Sequence, residues 1–187
     1  MNLKLVCLFF AGAALLSGAA QAATEVLGDG PARLCFLSAN EGRNAGGDIA
    51  ICDSALVTDL TTRDRAATFI NRGVIRLSLN QYDAANDDFS TGIRLLPDMG
   101  EGYLNRGAAY IAQKRFSEAL ADIEKGMSLG VSKPYIGYYD RGIANEALGN
   151  LRAAYDDYRQ AVALEPEFTR AAKQLERFKL IDKPNGT

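Results

Sequence analysis

Apolar and polar positions between Ala66 and Phe168 recur around three glycines, Gly73, Gly107 and Gly142, which stand 34 and 35 residues apart. Nine residues after each glycine comes Tyr82, Phe116 or Leu151. Twelve after it comes Ala85, Ala119 or Ala154, and sixteen after it Phe89, Ile123 or Tyr158. Twenty-two after it comes Leu95, Leu129 or Leu164, followed by Pro97, Val131 or Pro166. Each period reads as two amphipathic helices joined by a tight turn. The turns fall at "LNQY" (79–82), "QKRF" (113–116) and "LGNL" (148–151). The second helix of a unit ends near the proline, which cannot continue it and restricts the residue before it. One such unit cannot bury its own apolar face, so the units must stack.

Flanking segments complete the stack. After the third unit, "TRAAKQLERFKL" (169–180) places Ala171, Ala172, Leu175 and Phe178 at helical spacing, which predicts a capping helix over 169–181 and a frayed tail over 182–187. Before the first unit, residues 23–30 read as a flexible start. "PARLCFLSAN" (31–40) reads as a helix with Pro31 at its first position. "DIAICDSALVTDL" (48–60) reads as a second helix with Asp48 near its cap. Residues 23–62 are therefore expected to form a degenerate helical hairpin.

The first 22 residues do not read as fold. Lys4 precedes an apolar run, Leu5 to Leu16, that is too short to span a bilayer comfortably, and Ala20-Gln21-Ala22 fits an Ala-x-Ala cleavage site. A secretory signal peptide cut after Ala22 is expected, with a periplasmic or secreted product that does not insert in the membrane. Its removal takes away Lys4 and no acid, so the net charge of −2 becomes −3. A mildly acidic surface of mixed charge gives no footprint for nucleic acid.

The repeated small residues carry a resemblance. A small residue at position 8, Ala at 20, an aromatic near 24, a small residue at 27 and Pro at 32 are hallmarks of the tetratricopeptide repeat. On that numbering the units run 66–99, 100–134 and 135–168. Position 8 is Gly73, Gly107 and Gly142, and position 27 is Gly92, Gly126 and Ala161. The middle unit departs by carrying Val131 at position 32, with its proline delayed to Pro134. The resemblance implies an all-α, right-handed superhelix of antiparallel hairpins whose concave groove receives a protein or peptide partner. It implies no cofactor and no catalysis. The groove positions are Ala67, Ile70, Asn71, Val74 and Leu77 in the first unit. The second supplies Glu101, Leu104, Asn105, Ala108 and Ile111, and the third Ile136, Tyr139, Asp140, Ile143 and Glu146. An Asn there can hydrogen-bond a peptide backbone without reading its sequence. Family members that grip chaperone tails use a carboxylate clamp of Lys, Asn and Arg. At the clamp positions this chain has Ile70, Val74, Asn105, Ile136 and Asp140, and only Asn105 matches.

Candidate chemistry reduces to pairs. Each unit carries Arg at position 7 (Arg72, Arg106, Arg141) and Asp at position 23 (Asp88, Asp122, Asp157), where the two helices of a hairpin meet. Ion pairing within a unit or with a neighbour is expected. A catalytic arginine is disfavoured because an active site needs one copy and this motif occurs in three. The chain has no histidine, which removes His-based triads and His-ligated zinc. "NEGRNAGGD" (40–48) lacks the G-K-[ST] of a phosphate loop and precedes no strand. Outside the leader remain Cys35 and Cys52. In an oxidising compartment they are expected to bridge and staple the N-terminal hairpin, with a redox pair or two free thiols as the rival readings. The function expected is an exported interaction scaffold. The alternatives are a structural subunit of a cell-envelope assembly or secretion complex, and an envelope hydrolase, against which the missing histidine counts.

Overall fold

The computed structural model describes residues 3–7, 22–26, 30–41 and 46–182. Most of the expected leader and the tail 183–187 lie outside them. The element order is β1 (Leu3–Cys7), α1 (Pro31–Glu41), α2 (Gly46–Leu56), α3 (Thr62–Ser78), α4 (Tyr82–Leu95), α5 (Gly100–Ala112), α6 (Phe116–Leu129), α7 (Pro134–Ala147), α8 (Leu151–Leu164), α9 (Thr169–Leu175) and β2 (Phe178–Asp182). The architecture is an all-α solenoid of stacked hairpins, α3–α4, α5–α6 and α7–α8, preceded by the α1–α2 hairpin. Among the described residues it is completed by α9 and by the antiparallel pairing of β1 with β2 in the register Leu3 to Asp182 and Cys7 to Phe178.

The glycines let the two helices of each hairpin touch. A Cβ added at Gly73 would lie 2.5 Å from the Phe89 ring, at Gly107 2.6 Å from Ile123, and at Gly142 2.6 Å from the Tyr158 ring. Phe89 and Ile123 are fully buried and Tyr158 nearly so, and they fill the space that the missing side chains leave. Within the second hairpin, Gly126 on α6 faces the backbone of α5, with the Gly100 carbonyl oxygen 2.7 Å from its would-be Cβ.

The intra-hairpin turns share one backbone device. Asn80 and Lys114 adopt φ of 60° and 61°, and Gly149 adopts 83°. The three positions are again 34 and 35 apart, each just past a first helix. A left-handed residue closes that helix end, and glycine or asparagine takes it at little cost while lysine does not. Lys114→Gly is therefore expected to raise stability by about 0.5–1 kcal/mol, measured by urea denaturation. A loss would mean that the Lys114 side chain contributes more than its backbone costs.

Cys35 and Cys52 form a disulfide between α1 and α2, with Cα atoms 4.8 Å apart and both sulfurs' residues fully buried. Closing a loop of this size contributes about 3 kcal/mol in chain-entropy terms.

Two expectations need correction. The helix expected over 169–181 ends at Leu175, and the chain turns into β2. The Phe178 ring is drawn instead into an aromatic cluster, 5.8 Å from Tyr155 and 5.9 Å from Tyr158 between centroids, while Arg177 pairs with Glu146 on α7. A continuing helix would carry both side chains away from these partners. The start expected to be flexible over 23–30 is hydrogen-bonded to α3 where it is described. Residues 22–26 leave the hairpin and lie against the concave face of the stack.

Candidate functional site

The concave face is lined by α3, α5 and α7. Asn71 on α3 and Asn105 on α5 project into it from equivalent positions and are fully buried. Each holds one residue of the segment Ala22–Val26 by both of its backbone groups. Asn71 Oδ1 accepts from the Thr24 N–H at 2.7 Å, and Asn71 Nδ2 donates to the Thr24 carbonyl at 2.8 Å. Asn105 does the same for Ala22 at 3.0 and 2.8 Å. A carboxamide offers one donor and one acceptor side by side. It thus mimics the edge of a β-strand, where a residue exchanges both backbone groups with its partner. The clasped residues are two apart, the period at which an extended chain turns the same edge to its neighbour.

Burial follows that period. Ala22, Thr24 and Val26 are buried, Ala23 is half-buried and Glu25 is exposed. Ala22 shares a core with Leu104, Ile111, Ile136 and Tyr139. Val26 shares one with Ala67, Val74 and Ala108. The segment runs from the second unit to the first and on to the α1–α2 hairpin, against the order of the repeats.

Not every expected groove residue lines the groove. Ile70 is wedged between units, 2.7 Å from a Cβ placed on Gly92 and 3.2 Å from one placed on Gly102. Leu104 likewise packs toward Gly137 on α7. Glu101 caps a loop by accepting from the Ser132 N–H at 3.0 Å. Glu146 accepts from the Tyr158 hydroxyl at 2.9 Å and pairs with Arg177. Ile143 remains half-buried beside the third unit, and Asp140 is fully buried there. Burial raises the Tyr139 phenol above its ordinary pKa, and the neighbouring Asp140 raises it further. Burial with the Glu146 charge raises the Tyr158 phenol as well.

On the other side of the first helices the structure brings each arginine to the aspartate of its own unit. Arg72 forks onto Asp88 at 3.0 and 2.6 Å, Arg106 onto Asp122 at 2.7 and 2.9 Å, and Arg141 onto Asp157 at 3.1 and 2.6 Å. Neighbours join in, since Arg72 also reaches Asp53 on α2 and Arg106 reaches Ser90 on α4. Burial works against the Arg72 charge, yet the bonds to Asp88 and Asp53 hold its pKa above the ordinary value. For Arg106 and Arg141 the aspartate hydrogen bond dominates in the same direction.

Sequence reasoning missed three features here. Arg76 donates to Asp88 at 2.8 Å, and Asn145 donates to Asp157 at 3.0 Å. Both stand four residues after the repeated arginine, one turn along the same face. The aromatics at position 4 cover the guanidinium groups. Phe69, Tyr103 and Tyr138 lie 5.2, 5.8 and 5.3 Å from Arg72, Arg106 and Arg141, within cation–π range. Their spacing of three from the arginine was the available signal. Among the described residues no cluster of ligating side chains could hold a metal ion.

Residues 100–129 and 136–168 match the family described as tetratricopeptide repeat. These two stretches are tetratricopeptide repeats. The chain is 38% identical over 86 residues to human serine/threonine-protein phosphatase 5, which is 46% of this chain and 17% of that protein. It is 36% identical over 97 residues to the Hsp70-Hsp90 organizing protein of Triticum aestivum, 51% of this chain and 16% of that protein. The chain thus spans about a sixth of the length of these curated relatives. Among solved structures, the tetratricopeptide domain of Arabidopsis OM64 aligns with a TM-score of 0.59 and 26% identity, covering 63% of this chain and 96% of that one. The first such domain of Spaghetti (RPAP3), bound to the HSP90 peptide SRMEEVD, aligns with a TM-score of 0.56 and 29% identity, covering 59% and 87%.

Proposed function

We propose that this protein is an exported, non-catalytic adaptor of the periplasm or extracellular space that holds a partner's polypeptide backbone in its concave groove. The observation that carries the reading is the double clasp by Asn71 and Asn105, which engages two residues of an extended chain by main-chain groups alone. Recognition of this kind accepts many sequences and sets its selectivity through the size of the side chains that face inward. The related domain bound to an HSP90 peptide supports peptide binding as the mode. The partner class differs, because the clamp positions here hold Ile70, Val74, Ile136 and Asp140. Asp140, at a clamp position, offers a terminal carboxylate no cation to pair with.

Export rests on the N-terminal sequence, with its apolar run and Ala20-Gln21-Ala22. Two measurements test the reading together. N-terminal sequencing of the protein from an envelope or culture fraction is expected to begin at Ala23; a cytosolic product beginning at residue 1 would remove the exported part. In titration calorimetry, the acidic peptide SRMEEVD is expected to show no binding at 100 μM, a concentration of the order that peptide grooves of low affinity require. Saturable binding of that peptide would contradict the backbone-clasp reading.

A further inference from the structure

The concave groove already has an occupant, and that occupant belongs to the chain itself. Ala22–Val26 satisfies both clasping amides and buries three of its side chains. It joins α1 through residues 27–30 only. A ligand on so short a tether has an effective local concentration of about millimolar or higher. A free partner of equal contact quality therefore loses the competition unless the tethered segment is a poor ligand.

The segment carries a mark of being one. Thr24 has its hydroxyl oxygen buried with no hydrogen-bond partner among the described residues. A buried hydroxyl left unpaired weakens the binding of the group that carries it. An apolar side chain of the same shape would seat there without that loss. At the neighbouring station Ala22 fills the pocket with one methyl group.

We propose that the start of the exported chain, Ala23–Val26, is a built-in placeholder in the groove, held by Asn71 and exchanged for an extended partner segment that bears small or β-branched apolar side chains at alternate positions. The proposal rests on the groove reading above. Glu25 points outward and is exposed, so the intervening partner residues are free to be polar or charged. The contacts also order the exchange. Cleavage after Ala22, as proposed above, removes both bonds to Asn105 and leaves Thr24 on Asn71. The second unit's amide then becomes the entry point, and the partner peels the segment toward the α1–α2 hairpin.

The test uses the purified protein and a fluorescein-labelled, acetylated peptide of sequence AAVEV, read by fluorescence anisotropy. Thr24→Pro removes the N–H that donates to Asn71 and loosens the placeholder. Thr24→Val removes the unpaired hydroxyl and tightens it. Affinity for the added peptide is expected to rise about tenfold or more in Thr24→Pro and to fall about fivefold in Thr24→Val, since apparent affinity scales with the fraction of open groove. Asn105→Ala, with its fold checked by circular dichroism, is expected to lose binding. Equal affinities for wild type and both Thr24 variants, with loss in Asn105→Ala, would overturn the placeholder and leave the groove reading standing. No binding by any variant, or binding indifferent to Asn105, would overturn both. Light scattering is expected to give a monomer. A dimer that dissociates in Thr24→Pro would hand the segment to a second copy and overturn the intramolecular assignment.

Discussion

Phe89→Ala is expected to destabilise the protein by about 3–5 kcal/mol, the range for truncating a fully buried phenylalanine. The ring is wholly inaccessible and its edge fills the notch above Gly73, where an added Cβ would lie 2.5 Å away. Truncation therefore removes transfer free energy and also leaves a cavity between two helices whose spacing the other units hold. Neighbouring hairpins resist collapse, so the cavity persists. The same geometry gives a second, sharper expectation. On an exposed helix Gly→Ala gains up to about 1 kcal/mol, but Gly73→Ala should lose stability because the Phe89 ring cannot move away. Combining Gly73→Ala with Phe89→Leu should recover part of that loss, since the smaller side chain vacates the notch. Chemical denaturation of the two single variants and the double variant measures the coupling. A stabilising Gly73→Ala in the wild-type background would show that the notch is not closed, and the account of the glycine would fail with it.

The repeat was legible because one period governs both the backbone turns and the packing. Gly73, Gly107 and Gly142 mark it, and their contacts with Phe89, Ile123 and Tyr158 follow from the sixteen-residue offset. The Arg–Asp forks were legible for the same reason, one residue away on each helix. Apart from the aromatics over the arginines, what escaped mostly lacks a repeat. Ala22–Val26 contains no helical or amphipathic pattern of its own, and its place is decided by hydrogen bonds to Asn71 and Asn105 that lie 47 and 83 residues along the chain. Ile70 and Asn71 are sequence neighbours and therefore about 100° apart around the helix. The family resemblance placed both on the inner face. Only the positions of α4 and α5 show that Ile70 is taken up between units while Asn71 reaches the groove. Phe178 met the helical spacing equally well, yet the aromatic cluster of Tyr155 and Tyr158 outweighs one more turn of helix.

Asp88→Ala is expected to cost about 3–5 kcal/mol, because removing one partner of a buried ion pair leaves the other charge uncompensated. The three repeated aspartates differ in ways that rank them. Asp88 has a side-chain exposure of 4% and receives two arginines, Arg72 and Arg76. Asp157, at 6%, receives Arg141 and the neutral amide of Asn145. Asp122, at 13%, receives Arg106 alone among the described residues. Deleting Asp88 strands two guanidinium groups, which then repel each other as well as lacking a counter-charge, although Arg72 retains Asp53 at the surface. Deleting Asp122 strands one, which can still reach Ser90 and lies over the Tyr103 ring. The losses should therefore fall in the order Asp88, Asp157, Asp122. Thermal denaturation of the three alanine variants at matched salt reads this order directly. Arg76→Ala in the Asp88→Ala background should then restore stability, since it removes a stranded charge that the wild type needs. In the wild-type background the same arginine change should destabilise. If Arg76→Ala had the same sign and size in both backgrounds, the second arginine would be a bystander at the Asp88 carboxylate, and the ranking would have to rest on burial alone.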